Sequence, residues 1–468
     1  MPRLHSTRAE LASLARLALP LAAASAGQAL MGAVDTAVCG RAGAVVLAAT
    51  GLGNALFFAV AVFGMGLMMG LDPLVSQAFG AGDRRGARKL LWQGTWLALV
   101  AGLALTIPCA VMPLVLRPLG IDAAVAAQAG RFLLVRAPSL PALLFFVAAR
   151  SYLQGLGATR AVVVATVVAN VLNLAFDLLF VFGGAGLPSW AGPLRAVPPM
   201  GSAGSALATS LVTAAQAVVL ALAVRATGVP GMAARLWRPV RADIVRAARV
   251  GVPVGLHMGA EVGVFALVGF LAGRLGRDAL AAHQIAISLA SLTFTVAVGV
   301  GQAGSVRVGW AVGARDTGAA RRAGLVAFGA GGGFMALSAL AFLAFPSAFA
   351  RLMSDNPAVI AAAAPLLVVA AVFQVSDGIQ AVGAGVLRGA GDTRFTFAAN
   401  MVGHWLVGFP VAVALGLVGP LGVTGLWWGL CAGLSAVAVA LFRRFLRISS
   451  RDIAPLRPDP ATTRTAEG

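Results

Sequence analysis

Long apolar runs separated by short polar connections constrain this chain more than any other feature of its sequence. The first run occupies residues 11–40, and beyond Arg16 it contains a single charged residue, Asp35. A helix of about 20 apolar residues crosses a bilayer, whereas the strands of a membrane barrel are about ten residues long and alternate in polarity. The runs therefore predict an all-α membrane protein and exclude a barrel.

Twelve such runs predict about 12 transmembrane helices. Hydrophobic residues make up 59% of the chain and charged residues 11%, which is more apolar surface than a soluble chain can bury. We therefore exclude a soluble enzyme. The predicted helix limits are 13–38, 46–78, 90–115, 124–153, 160–183, 203–224, 247–273, 279–311, 323–349, 358–387, 395–417 and 422–442.

The net charge of +19 does not indicate a nucleic-acid partner, because the basic residues lie between the apolar runs. Most of the 35 Lys and Arg residues fall at the N-terminus, in the even-numbered connections and in the C-terminal tail. Basic residues are concentrated on the cytoplasmic side of membrane proteins. We expect a multi-pass protein of the plasma (inner) membrane with both termini in the cytoplasm.

The two halves of the chain repeat each other at an offset of about 233 residues. Pro20 then aligns with Pro253, and GAGD at 80–83 aligns with GARD at 313–316. Six helices per half predict two pseudo-symmetric lobes with a central cavity, a transporter architecture. We predict an N-terminal segment at 1–12, an N-lobe at 13–226, a cytoplasmic linker at 227–246, a C-lobe at 247–447 and a disordered cytoplasmic tail at 448–468.

Four polar residues of the N-lobe lie at membrane depth: Asp35 in helix 1, Asn173 and Asp177 in helix 5, and Thr209 in helix 6. Asn173 and Asp177 are four residues apart and share a helix face. Two carboxylates, an amide and a hydroxyl supply hard oxygen ligands for a small cation or a shared proton. The alternatives are a structural hydrogen-bond network and, for Asp35, a helix-end side chain that reaches the interface.

The C-lobe carries two acids at membrane depth, Glu261 in helix 7 and Asp377 in helix 10. Such acids can exchange a proton or attract a cationic organic ligand, or they can be buried polar contacts between helices. With only His257 near Glu261, no third ligand has metal-site spacing, so we predict no metal other than Na⁺. Candidate supporting residues are Gln28, His257, His283, Gln284, Gln374 and Gln380, and candidate hinges are Pro20 and Pro253.

Several stretches together resemble the MATE (multidrug and toxic compound extrusion) family of transporters. They are the helix 1 pattern of Pro20, Gln28 and Asp35, LVSQAFGAGD at 74–83, QGLG at 154–157 and RGAGDT at 388–393. The resemblance covers about residues 12–447. It implies that Asp35, Asn173, Asp177 and Thr209 match the family's N-lobe cation site. Glu261 and Asp377 match the C-lobe acids of the NorM-like branch.

The resemblance implies a secondary antiporter that exports cationic or amphipathic organic compounds in exchange for Na⁺ or H⁺ by alternating access. No enzymatic motif is visible: GxxxxGK[ST] is absent from the sequence, and we expect no cofactor besides the coupling ion. The alternatives are a lipid-linked saccharide flippase of the same superfamily and a channel or structural membrane protein. The expected partners are organic cations and the lipid bilayer, and the expected state is a monomer.

Overall fold

The computed structural model describes residues 6–228 and 236–456, and twelve of its helices are long and apolar enough to cross a membrane. The predicted all-α fold is confirmed, and each helix overlaps one predicted span. The helices, numbered in chain order, are α1 Thr7–Arg41, α2 Ala44–Gly80, α3 Arg84–Leu116, α4 Ala123–Gly155, α5 Arg160–Phe182, α6 Ser202–Ala226, α7 Arg241–Arg274, α8 Arg277–Gly313, α9 Thr317–Ala344, α10 Pro357–Ala390, α11 Thr393–Val418 and α12 Gly422–Ile448.

The starts of α3 and α9 are built alike, as the internal repeat requires. Asp83 accepts a hydrogen bond from the Gly86 amide at 2.6 Å, and Asp316 accepts one from the Ala319 amide at 2.8 Å. Such side-chain acceptors satisfy the free amides at a helix start. The residue before each cap has positive φ, glycine in the first half and Arg315 (φ 56°) in the second. The repeated backbone is therefore kept even where an arginine must adopt it.

The predicted segment boundaries shift at several places. Helix 9, predicted to reach residue 349, ends at Ala344, and a separate short helix, Pro346–Met353, begins at a proline that has no amide to continue the first helix. The first helix begins at Thr7 and α7 at Arg241, inside the predicted N-terminal segment and linker. Residues 1–5, 229–235 and 457–468 lie outside the described residues.

The tail predicted as disordered over 448–468 is packed as far as residue 456. The Leu456 amide donates a hydrogen bond to Gln77 Oε1 in the N-lobe at 2.8 Å. The Leu456 side chain packs on the N-lobe core cluster, and Ile453 packs on the cluster built mainly by the C-lobe and the start of α1. Two apolar side chains three residues apart thus anchor the segment in different clusters. The polar composition of the tail did not predict this packing.

Helices α1–α6 form one lobe and α7–α12 form the other. Two helix pairs make much of the contact between the lobes, α1 with α8 and α2 with α7. These pairs exchange under the repeat, since α1 corresponds to α7 and α2 to α8. The lobe boundary therefore has pseudo-two-fold symmetry.

Glycines bring the lobes into backbone contact. A Cβ added at Gly66 would lie 2.5 Å from the Gly255 Cα, and one added at Gly299 would lie 2.7 Å from the Ala22 nitrogen. Both pairs are related by the 233-residue offset. Small residues permit such close helix approach in membranes. We call the end of the bundle where α1 begins and α12 ends the basic face. These contacts lie in the half of the bundle nearer to it.

Ion pairs also join the lobes toward the basic face. Arg307 of α8 donates to both carboxylate oxygens of Glu10 in α1, at 2.8 and 2.6 Å. Asp72 of α2, for its part, lies 3.2 Å from Arg388 of α10. Both pairs are largely buried, so removal of one partner would leave an uncompensated charge. The lobes are therefore held together at one end of the bundle.

Candidate functional site

A cavity of about 600 Å³ lies between the lobes, and its lining reaches Arg388 of the ion pair with Asp72. Its wall combines α2 of the N-lobe with α7, α8 and α10 of the C-lobe. Most of the lining is apolar, which suits flat, hydrophobic ligands that make few hydrogen bonds. The aromatic and methionine side chains of the lining are Phe58, Met69, Met258, Phe265, Phe294 and Phe373.

The two C-lobe acids predicted from the sequence, Glu261 and Asp377, both line this cavity. His257 Nε2 lies 3.0 Å from Glu261 Oε2, one turn earlier on α7, and Gln380 Nε2 donates to the same oxygen at 3.4 Å. Gln380 also donates to Asn400 Oδ1 at 3.3 Å. Glu261 thus belongs to a polar network joining α7, α10 and α11, and Asp377 lies at the same otherwise apolar wall.

Of the remaining supporting candidates, Gln374 and His283 form hydrogen bonds to other helices of the C-lobe. Thr293 of α8 donates to Gln374 Oε1 at 2.8 Å, which joins α8 to α10. Trp427 Nε1 donates to His283 Nδ1 at 3.2 Å in the buried core of the C-lobe, so His283 is held within its lobe. Two predicted candidates show no such link: Gln284 is exposed and Gln28 is half-buried.

In the N-lobe the structure brings the four predicted residues together. The Asn173 Nδ2 group donates to Asp35 Oδ1, and it also donates to Asp177 Oδ2 at 2.9 Å. The Thr209 hydroxyl lies 3.5 Å from Asp35 Oδ2. All four are buried, and Asp35 is only 4% exposed. That burial contradicts the alternative that Asp35 is a helix-end side chain reaching the interface.

Two oxygens of this cluster, Asn173 Oδ1 and Asp177 Oδ1, are buried without a hydrogen-bond partner. Buried polar atoms in proteins are almost always satisfied, so such atoms require a reason. A monovalent cation or a proton would supply the missing interaction. The donor set of two carboxylates, an amide and a hydroxyl fits that role chemically, because hard cations take oxygen ligands. Its binding role stays a prediction.

The candidate hinges, Pro20 in α1 and Pro253 in α7, lie inside continuous helices. Each is two residues from a close inter-lobe contact, at Ala22 and at Gly255 respectively. A proline removes one hydrogen bond from the helix ladder and so weakens it locally. The weakened turns therefore lie beside the surface on which the lobes meet, and the hinge role stays a prediction.

Two buried groups beside these sites were not predicted to take part in them. Arg136 is buried within α4 of the N-lobe. His404 is buried on a π-helical stretch of α11 near Glu261, and neither of its ring nitrogens has a hydrogen-bond partner. Arg136 lies three residues before Ser139 and His404 four residues after Asn400, but neither spacing points to an acid on another helix. Among the described residues, no group of three or more His, Cys, Asp or Glu side chains is placed to hold a metal ion.

The MatE family model matches residues 20–179 and 253–414, once in each lobe. The chain is 36% identical over 451 residues to "Multidrug resistance protein NorM" of Burkholderia vietnamiensis, covering 94% of this chain and 95% of that protein. It is 33% identical over 442 residues to "Probable multidrug resistance protein NorM" of Rhizobium meliloti (strain 1021), covering 93% of each.

Solved structures share the fold at lower identity. The crystal structure of a MATE in the straight conformation matches with a TM-score of 0.84 at 21% identity, covering 94% of this chain and 96% of that one. The eukaryotic MATE transporter AtDTX14 matches with a TM-score of 0.81 at 20% identity and the same coverage. A superfamily transporter from Pyrococcus furiosus, described as having a binding pocket of reverse polarity, matches at 0.82 and 19% identity, covering 96% and 99%.

Proposed function

We propose that this chain, which belongs to the MatE family, is a multidrug efflux antiporter that exchanges organic cations for Na⁺ or H⁺ by alternating access. Relatives that align along nearly the whole chain are named multidrug resistance proteins, which supports efflux as the activity. The observation that carries the proposal is the combination of one apolar inter-lobe cavity with buried acids in both lobes.

In this proposal the basic face lies in the cytoplasm, as the positive-inside rule expects. Glu261 and Asp377 attract the positive charge of the exported compound, while the aromatic wall holds its apolar part. Release to the outside follows when a competing cation reduces that attraction. A neutral or anionic compound gains nothing from the two acids.

The N-lobe cluster supplies the coupling-ion site. Asn173 Nδ2 bridges the carboxylates of Asp35 and Asp177, which offsets part of their mutual repulsion. A half-turn of the amide exchanges its donor for its acceptor, so that Asn173 Oδ1 would join the carboxylate oxygens as a cation ligand. Binding of Na⁺ or H⁺ therefore changes the contacts that join α1 to α5. Since α1 also packs on α8 of the other lobe, the change reaches the lobe boundary.

The energy available for export follows from the ion gradient. One positive charge moving inward yields about 2.3 kcal/mol per 100 mV of membrane potential. That corresponds to roughly a 50-fold concentration ratio of a neutral exported compound per ion at 100 mV. A concentration gradient of the ion adds to this figure. For a monovalent organic cation, exchange with one ion moves no net charge, so the concentration gradient of the ion alone drives its export.

The test is ethidium efflux from proteoliposomes under an imposed Na⁺ or pH gradient. We expect efflux with at least one gradient, and we expect Asp35→Asn to abolish it. Asp278→Asn, which removes an exposed acid at the start of α8, is the matched control and should retain efflux. Gradient-driven efflux that persists in Asp35→Asn would reject the N-lobe site. Failure of the wild-type chain under both gradients would reject antiport itself.

A further inference from the structure

Arg136 is a buried guanidinium without an acidic partner. Its Nη1 donates to the hydroxyls of Ser139 at 2.8 Å and Thr213 at 3.2 Å, and its guanidinium lies 4.6 Å from the centre of the Phe57 ring. The side chain is 7% exposed, and its Nε has no hydrogen-bond acceptor. No carboxylate of residues 6–228 or 236–456 forms an ion pair with it. A buried, unpaired charge in a membrane span is costly and calls for a functional account.

The guanidinium is connected to the candidate ion site through α6. Thr213, which accepts from Arg136, donates to the carbonyl oxygen of Thr209 one turn earlier at 2.7 Å. The Thr209 hydroxyl lies 3.5 Å from Asp35 Oδ2. Asp35 is the acid that acts electrostatically on Arg136. The arginine is thus one helical turn removed from the ion site and does not occupy it.

The charges buried in this part of the N-lobe can be counted. With both carboxyl groups ionised and no cation bound, Asp35 on α1 and Asp177 on α5 contribute two negative charges, and Arg136 on α4 contributes one positive charge. Cys39 also faces the acids, where its sulfur accepts a hydrogen bond from Thr50 at 3.4 Å. A thiol is neutral at physiological pH. The cluster therefore carries a net charge of minus one, which one monovalent cation neutralises and a second would reverse.

We infer that Arg136 is a positioning residue that limits the N-lobe acids to one monovalent cation in each transport cycle. This inference rests on the proposed ion site and deepens it. The physical reason is that a second cation would leave a net positive charge inside the lobe, where water cannot screen it. The arginine acts as a permanent internal cation that takes the place of a second Na⁺ or H⁺. Removal of its charge therefore opens the site to two cations.

A purely structural role for Arg136 predicts something different. Arg136 precedes the 3-10 turn Ala137–Ser139, and its carbonyl oxygen accepts from the Ser139 hydroxyl at 2.7 Å. If the side chain only stabilised this turn, its replacement would lower stability without changing the number of cations bound. The count of bound cations thus separates the two roles.

The experiment measures cation uptake per protein by the purified full-length chain. The background carries Glu261→Gln and Asp377→Asn, so that only the N-lobe acids contribute. Sodium uptake is followed with ²²Na⁺, and proton uptake with a pH indicator in the same sample. We expect about one cation for the parent chain and about two for Arg136→Met. Arg136→Lys retains the charge and should behave as the parent.

A charge-rescue pair sharpens the test. Asp35→Asn alone leaves Asp177 balanced by Arg136, and we expect it to bind no cation. The double variant Asp35→Asn with Arg136→Met restores the net charge of minus one and should bind about one cation again. Arg136→Gln serves as a second neutral variant if methionine disturbs the packing on Phe57. Gel filtration confirms that each variant is folded.

Two results would overturn the inference. One is an unchanged count of one cation in folded Arg136→Met or Arg136→Gln. The other is a count of two in Arg136→Lys. If the parent chain binds no cation and the wild-type chain shows no gradient-driven efflux, the proposed function fails instead. The two failures are therefore distinguishable.

Discussion

The Gln77 side chain donates a hydrogen bond across the lobe boundary to the carbonyl oxygen of Gly389, at 3.0 Å. A second bond runs in the opposite direction: the Trp310 indole of the C-lobe donates to the carbonyl oxygen of Gly155 in the N-lobe, at 2.6 Å. The donors are related by the 233-residue offset, and the acceptors by an offset of 234. Each half of the repeat thus supplies one hydrogen bond across the lobe boundary. The donor is an amide in the first half and an indole in the second.

We predict that loss of either donor favours the state open at the basic face. Trp310→Phe removes one hydrogen bond, worth about 1 kcal/mol, and shifts the equilibrium by roughly fivefold. Gln77→Ala also removes the bond accepted from the Leu456 amide, so we expect a larger shift. Lobe separation can be measured with spin labels placed on the basic-face ends of α3 and α9. Ser376→Ala is the control, because its 2.7 Å bond to Ser435 joins two helices of the same lobe. An equal shift in the control would contradict the prediction.

The packed tail should restrain the same movement. In a background without native cysteines, a disulfide between Gln77→Cys and Leu456→Cys would tie the tail to the N-lobe, and we expect ethidium efflux to stop until reductant is added. The matched pair is Thr317→Cys with Asp452→Cys, whose side chains lie 3.4 Å apart within the C-lobe half. That cross-link should leave efflux intact. If the variant with the disulfide between positions 77 and 456 still exports ethidium, the tail can stay on the N-lobe throughout the cycle and the prediction is wrong.

The inter-lobe glycines should tolerate no side chain. Leucine at Gly66 would overlap the backbone of Gly255, where even a Cβ lies at 2.5 Å, so we expect Gly66→Leu to force the lobes apart and abolish transport. Gly299→Leu should do the same through Ala22. Gly329 in α9 faces open space, and Gly329→Leu is the control that should remain active. Spin-label distances and efflux together measure the effect.

The C-lobe acids should select for positive charge. We expect Glu261→Gln to raise the KM for a cationic substrate several-fold, while it changes the KM of a neutral amphipathic substrate little. The reason is that the acid lines an apolar wall, where its charge is weakly screened. Transport assays with a matched cationic and neutral pair measure this difference. A similar change for both substrates would instead indicate that Glu261 maintains the network with His257 and Gln380.

The positions of the acids show how far sequence reasoning reaches. Asp35, Asn173 and Asp177 could be singled out because a polar residue in a long apolar run is conspicuous, and the four-residue spacing of the last two places them on one helix face. Arg136 and His404 are also buried, yet no helical spacing relates Arg136 to Asp35 or His404 to Glu261, because each pair lies on different helices. The packed residues 449–456 were missed for the same reason.

The sequence by itself determined the twelve helices, the duplication into two lobes and the candidate acids, because hydrophobicity, helical spacing and repeat offsets are properties of the chain taken in order. Only the tertiary structure decided which residues of different helices meet. It brought Gln77 to Gly389, Asp72 to Arg388 and Leu456 to Gln77, and it buried Arg136 without an acid. These contacts form only when the two lobes pack against each other. Their close approach at glycines depends on helices from both lobes, so the sequence of one helix does not reveal it.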